Sequence, residues 1–331
     1  MSKPVIAITM GDPGGVGPEI ICKALTCFSY SDENYIPLVI GDAGVLKHRM
    51  EMFNIKGSIN IIDTLSNITE KSGYINCLNL NNILLDKLKI GTIQKMSGKA
   101  SIEYIYKAFE YLKKETFHAM VTCPINKESI NKAGFLYAGH TELLAKLTKT
   151  KKFAMMLAGE KLKVVLVTTH IAINKVSLNI TQEKIQEKIK LTFDFLNKKF
   201  VIKSPKIAVC GLNPHSGEGG LFGNEERTKI IPAILNMQKK NIDVSGPYPA
   251  DTLFYTAQHG TYDAVIVMYH DQGLIPLKML YMDTGVNLTL GLPIIRTSVD
   301  HGTAFDIAQK GTASCSSLNS AIKLAAYLVN K

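Results

Sequence analysis

The chain has 331 residues, 46% of them hydrophobic and 20% charged, a balance that excludes a disordered polypeptide and leaves room for two domains. Lysine and arginine outnumber aspartate and glutamate by 38 to 28, a formal charge of +10, yet the basic residues are scattered in short pairs such as Lys151-Lys152 and Lys239-Lys240. That pattern describes a solvated lysine-rich surface rather than a nucleic-acid footprint, and no apolar run reaches the roughly 18 residues that span a bilayer.

The N-terminal apolar stretch meets Gly11 and Asp12 too soon for a signal peptide, so a cytoplasmic protein is expected. The six cysteines form no CxxC pair and several sit in apolar runs, which predicts reduced, mostly buried thiols. Cys123 lies beside a candidate site loop, but nothing around it marks a nucleophile.

Short Val/Ile-rich runs alternate with helical stretches. Strands are predicted at 4–9, 36–41, 118–123, 163–169, 206–211 and 263–269. A helix is predicted from near Pro18, and others at 99–114, 141–149, 181–199, 224–240 and 316–330. Continuously apolar strands separated by helices predict an α/β protein with mostly parallel sheets covered on both faces.

In such sheets ligands bind beyond the carboxyl ends of the strands. The residues there are Gly11-Asp12, the stretch Pro124 to Lys127, His170, Asn213-Pro214-His215 and His270-Asp271-Gln272-Gly273. Three strands thus each deliver a histidine at the same relative place, in a chain with eight histidines. Imidazole is the commonest ligand for divalent transition metals, and three of them with an open position would make a catalytic site. The spacings are long, so each histidine has the alternative role of satisfying its own loop.

The loop GDPGGVGPE (11–19) lets backbone approach a ligand, but it is neither GxGxxG nor a Walker loop; a tight strand-to-helix turn is the competing explanation. GHTE (139–142) sits at a helix start, where Thr141 or His140 is expected to cap and the free N–H groups attract phosphate. The stretch 287–306 combines Arg296, Asp300, His301 and Asp306 with a flexible Gly302. Arginine forks onto phosphate or carboxylate, although most arginines lie on surfaces.

Taken together, ITMGDPGGVGPEI, VTCPINKESI, GHTELLA, TTH, GLNPHSGEGGLFGNEE, PADT, MYHDQGLIPLK and VNLTLGLPIIRTSVDHGTAFDIA resemble the 4-hydroxythreonine-4-phosphate dehydrogenases of vitamin B6 synthesis, in the same order and across nearly the whole chain. HGTAFDIAQKG also resembles the adenosine-binding loop of isopropylmalate and isocitrate dehydrogenases. The resemblance implies an isopropylmalate dehydrogenase-like fold of two α/β/α domains with the active site in the interdomain cleft. The expected domains are 1–135 plus 290–331 on the cofactor side and 136–289 for metal, substrate and dimerisation.

It further implies that His170, His215 and His270 bind one divalent metal (Zn²⁺, Mg²⁺ or Co²⁺), with the His170 ligand coming from the neighbouring subunit of a homodimer. His140, Thr141, Lys278, Asn287 and Arg296 are implied to bind substrate. Gly11, Asp12, Asp300, His301, Gly302 and Asp306 are expected to bind NAD, with the Asp306 carboxylate disfavouring NADP. The implied reaction is NAD-dependent oxidation of 4-phosphooxy-L-threonine at carbon 3, followed by loss of carbon dioxide; Lys278 and Asp251 are the candidate proton acceptors. Cys123 stands where the family has alanine and Ala172 where proline is common. The alternatives are a sister dehydrogenase for another four-carbon phosphorylated hydroxy acid, a non-catalytic phospho-ligand binder and a phosphate acyltransferase.

Overall fold

The structure, a computed structural model, describes residues 3–331. In chain order it runs β1 (Val5–Thr9), α1 (Gly17–Thr26), β2 (Ile36–Gly41), α2 (Ala43–Met52), β3 (Ser58–Ile62), β4 (Tyr74–Asn79), α3 (Lys95–Lys113), β5 (Ala119–Thr122), α4 (Lys127–Lys132) and α5 (His140–Leu147). Next come β6 (Ala154–Ala158), β7 (Lys163–Leu166), α6 (Val176–Asn179), α7 (Gln182–Lys199), β8 (Ile207–Cys210), α8 (Ile231–Gln238), β9 (Val244–Tyr248), α9 (Ala250–Ala257), β10 (Ala264–Val267), α10 (His270–Tyr281) and β11 (Val286–Leu290). The chain closes with β12 (Ile295–Val299) and α11 (Ser316–Val329).

Two compact units result, one of residues 1–149 with 293–330 and one of residues 150–292 with 331. The boundary falls at 149/150 rather than 135/136. Residues 136–149, expected in the central domain, belong to the first unit because α5 precedes the chain's departure into β6.

In the first unit the strand order is β3-β4-β2-β1-β5-β12, and every neighbouring pair is parallel. All five residues of β1 and of β12 are buried, as a sheet covered on both faces requires. Helix α3 packs on β1, β2 and β5, while α11 packs on β12 and β5 with α1 against it.

In the second unit the order is β11-β6-β7-β10-β8-β9, antiparallel at β11-β6 and β6-β7 and parallel from β7 to β9. Its core is built from Leu157, Val164, Leu166, Ala208, Val265 and Val267 of the sheet with Leu253 of α9 and Leu274 and Leu277 of α10.

All six predicted strands are present. Strand β6 escapes a pattern reading because Ala-Met-Met-Leu-Ala carries no β-branched residue and fits a helix equally well. The helix expected at 224–240 begins instead with a π-turn at Glu226–Ile230 before α8. Pro232 lacks the N–H that a continuous α-helix would use there. Among the described residues no helix is long and apolar enough to cross a membrane.

Candidate active site

Strands β7, β10 and β8 lie side by side and run parallel, and each is followed by one of the three histidines. The strand exits are tied together. Thr168 Oγ1 donates to the Met268 carbonyl at 2.7 Å. Gln272 accepts from Met268 N and donates to the Gly211 carbonyl, both at 2.7 Å, which joins the exit of β10 to that of β8. The His170 and His270 rings stand 5.5 Å apart between centroids. His270 opens α10, and its Nδ1 lies 2.7 Å from Asp271 Oδ1. A carboxylate on one ring nitrogen orients the other toward a ligand. Asp271 is among the strand-end residues the sequence marks, and its contact with the His270 ring gives it a role that the sequence does not assign.

His215 sits on a loop whose backbone is left-handed at His215, Ser216, Gly217, Glu218 and Glu218's neighbour Gly219. Non-glycine residues pay roughly 1–2 kcal/mol each for that conformation, so the loop needs an anchor. Glu226, buried, supplies it by accepting from Leu212 N, Asn213 N and Asn213 Nδ2 at 2.7, 2.8 and 2.9 Å. Among the described residues no three His, Cys, Asp or Glu side chains of this one chain converge to hold an ion. The donor types fit a divalent metal: His170 and His215 are exposed, His270 is half-buried with a carboxylate partner, and the His170 and His270 rings are neighbours.

Asp251, exposed in the first turn of α9, lies beyond β9, the neighbour of β8. Lys278 is half-buried on α10. Asn287 is the second residue of β11, paired with Leu157, and its Oδ1 is buried with no hydrogen-bond partner.

In the first unit α5 begins at His140 behind an extended Gly139, and no side chain caps it. The expected cap by His140 or Thr141 is therefore absent, because these residues occupy the first turn itself and leave its N–H groups open. Arg296 is buried on β12, and its Nη2 and Nε donate to Thr122 Oγ1 at 2.7 and 3.2 Å. Burial lowers its pKa to about 10, against the opposing pull of Glu142, so it stays charged at neutral pH. Burial and then the Arg296 charge hold the His140 imidazole well below its usual pKa, although a hydrogen bond to the Cys123 backbone works the other way. His140 Nε2 is buried without a partner. A desolvated guanidinium beside an unpartnered imidazole nitrogen and open helix N–H groups fits a phosphate.

The loop 11–15 lies at the carboxyl end of β1. Gly11 has φ +75°, and a Cβ there would stand 2.3 Å from the Pro124 carbonyl, so only glycine fits. A Cβ on Gly15 would come within 2.9 Å of the Thr303 carbonyl. Val16 N donates to that carbonyl at 3.0 Å, which seats the 300–306 loop on the start of α1. His301, Gly302 and Asp306 are exposed on it, and nothing lies within 4 Å of a Cβ built on Gly302. An open backbone face with an exposed carboxylate suits a ribose-bearing cofactor. Asp12 does not reach that face. It is fully buried, and Oδ1 accepts from Gly14 N at 2.8 Å, so its side chain shapes the loop.

Burial raises the Asp12 pKa to about 6, despite the Gly14 hydrogen bond. The native state then holds this proton more tightly than the unfolded chain does. Asp12's contribution to stability therefore falls as pH rises from about 4 to about 6 and stays low above that. Asp12→Asn, which keeps the Gly14 contact, is expected to stabilise the protein at pH 7.5 by about 2–3 kcal/mol, an advantage that shrinks at pH 4. Denaturant unfolding of both proteins at the two pH values measures it; an equal or larger advantage at pH 4 contradicts it.

All six cysteines are free, with Cys27 exposed, Cys315 partly so and the rest buried. Burial pushes the Cys123 thiol far up, as expected of a packing residue rather than a nucleophile.

Two α/β units, one with a histidine after each of three adjacent parallel strands and the other with a buried arginine at the start of an uncapped helix, have the architecture of an α/β dehydrogenase. Residues 33–325 match the family described as Pyridoxal phosphate biosynthetic protein PdxA, and the chain belongs to that family. It is 47% identical over 330 residues to a 4-hydroxythreonine-4-phosphate dehydrogenase of Desulforapulum autotrophicum, covering 98% of this chain and 95% of that one. It is also 47% identical over 335 residues to an Oceanobacillus iheyensis protein provisionally named D-threonate 4-phosphate dehydrogenase, covering 98% of each. The crystal structure of 4-hydroxythreonine-4-phosphate dehydrogenase from Klebsiella pneumoniae superposes with a TM-score of 0.90 at 41% identity, covering 98% of this chain and 99% of that one.

Proposed function

We propose that this oxidoreductase takes 4-phosphooxy-L-threonine and NAD, with a divalent metal, and releases 3-amino-2-oxopropyl phosphate and carbon dioxide. The observation that carries the reading is the pairing of a buried, charged Arg296 with an unpartnered His140 Nε2 at the open start of α5. The 4-phosphate is bound there, with Thr141 assisting. His170, His215 and His270 hold the metal, which when bound supplies Lewis acidity at the carbon-3 oxygen. Asp271 orients His270 for that task. Lys278 and Asn287 position the substrate, and Lys278 or Asp251 accepts the hydroxyl proton. Asp300, His301, Gly302 and Asp306 of the 300–306 loop would hold NAD, which when bound would supply the hydride acceptor for carbon 3. The resulting β-keto acid loses carbon dioxide because the electron pair left behind is delocalised into the new ketone. The protein works in the cytoplasm.

The second reading is oxidation of D-threonate 4-phosphate, favoured by the name of one equally similar relative. The two substrates share the phosphate, the carbon-3 hydroxyl and the carboxylate, and carry different groups at carbon 2. NADH formation with each, at matched concentration and with added metal, decides between them. The expected result is a kcat/KM at least about tenfold higher for 4-phosphooxy-L-threonine, equivalent to about 1.4 kcal/mol. The reverse order establishes the second reading, and no NADH from either removes both.

We also propose that the metal shell is completed across a homodimer, with the His170 ligand coming from the neighbouring subunit; in support, no three His, Cys, Asp or Glu side chains converge among the described residues of one chain. Mixing inactive His170→Ala with inactive His215→Ala chains is expected to restore part of the activity, because a heterodimer then contains one intact shell. No recovery after demonstrated subunit exchange rules the shared shell out.

A further inference from the structure

The 300–313 segment is fastened at more than its front end, and the rear fastening involves two charged residues with no part in the proposed chemistry. Glu19 of α1 is fully buried, and its Oε1 accepts from Lys23 Nζ at 2.8 Å and from Ala313 N at 2.9 Å. Lys23 lies one helical turn further on. Its ammonium also donates to the carbonyls of Gly311 and Ala313 at 2.7 and 2.9 Å, so all three of its donors are used. A side tie joins Gln309 Nε2 to the Ile90 carbonyl at 2.9 Å. At the front, Val16 N holds the Thr303 carbonyl. The loop that leads into α1 is itself braced: Arg49 of α2, also fully buried, donates from Nη2 to the Pro13 carbonyl at 3.1 Å.

An ion pair with one partner fully buried and the other partly so adds little net stability over an apolar pair, but the hydrogen bonds of Glu19 and Lys23 hold Gly311 and Ala313 in one arrangement. Here the geometry fixed is that of a loop on which Asp306 is exposed between the tied ends and His301 and Gly302 are exposed directly before the front tie at Thr303. A loop already held in place does not lose that freedom again when a ligand binds.

We propose that Lys23 and Glu19 are positioning residues for the nucleotide, holding the rear of the 300–313 loop on α1 so that the loop is ordered before NAD arrives. The inference rests on the reading of 300–306 as the NAD loop. It concerns cofactor affinity alone and leaves phosphate capture at His140 and Arg296 untouched.

Calorimetric titration of NAD into the full-length protein tests it, with inorganic phosphate titrated separately. Lys23→Met is expected to weaken NAD binding by about tenfold, the equivalent of 1.4 kcal/mol, while phosphate affinity is unchanged. Lys23→Arg should recover part of the loss, and amide hydrogen exchange across 303–313 should quicken in Lys23→Met. If Lys23→Met does not fold, Glu19→Gln carries the same test, because it keeps size and an acceptor but removes the charge. Asp306→Ala and His301→Ala separate the two levels of the argument. If they weaken NAD binding and the Lys23 and Glu19 variants do not, the positioning role is wrong. If none of the four affects NAD binding, the loop reading fails and the inference with it.

Discussion

Stripping divalent metal with a chelator is expected to bring turnover below detection, and Zn²⁺ or Co²⁺ to restore it more effectively than Mg²⁺. The expectation starts from three neighbouring parallel strands, β7, β10 and β8, each delivering a histidine just past its carboxyl end. Neutral imidazoles suit the borderline metals better than the hard, oxygen-preferring Mg²⁺. Lewis-acid stabilisation of a developing alkoxide is worth several kcal/mol, and a loss of about 4 kcal/mol is about a thousandfold in rate. The exits of β7, β8 and β10 are joined by Thr168 and Gln272, so these ligand positions ride on a braced sheet edge. Metal content measured on the protein gives a readout separate from activity. Each single His→Ala change should lower it, and Asp271→Ala should weaken metal affinity about 10- to 100-fold by freeing the His270 ring. Full activity in a demonstrably metal-free preparation would end this reading.

Arg296→Ala is expected to lower kcat/KM for the phosphorylated substrate by at least about tenfold, since a charge-assisted hydrogen bond is worth roughly 1.5–3 kcal/mol. Arg296 is buried on β12, with Thr122 Oγ1 as one acceptor. An exposed arginine making a surface ion pair contributes only about 0–1 kcal/mol, and the burial observed here removes that explanation. Arg296→Lys should rescue only partly, because a point charge replaces the planar fork. The discriminating quantity is the preference for phosphorylated over unphosphorylated substrate, which should shrink in Arg296→Ala. His140 gives an independent mark. Its pKa is held down first by burial and then by the Arg296 charge, so removing that charge should let it rise, as histidine titration followed by NMR would show. Equal loss on both substrates, or a full retained preference for phosphate, makes Arg296 a structural residue that merely holds Thr122.

Much of this protein is determined by local chemistry that a sequence displays. Val- and Ile-rich runs buried on both faces can only be interior strands of a parallel sheet, and the residues after them must fall at its carboxyl edge. That is why His170, His215, His270 and Gly11 are placed at strand ends by the sequence itself. Other features depended on packing between segments far apart in the chain. The antiparallel strands β6 and β11 take their conformation from each other and from β7, not from their own residues. The assignment of 136–149 to the first unit is a property of the tertiary structure, which no local pattern encodes. Asp12 looked like a ligand contact because it follows a strand; tertiary burial turned its carboxylate inward onto Gly14. Arg296 and His140 are 156 positions apart, and only the fold sets one charge against the other's proton affinity. Spacing alone makes Lys23 and Glu19 an i,i+4 pair, and only the tertiary structure lays Gly311 and Ala313 across them. Strand, turn and helix-start chemistry act over a few residues, whereas desolvation and charge pairing act through space between segments that the sequence keeps apart.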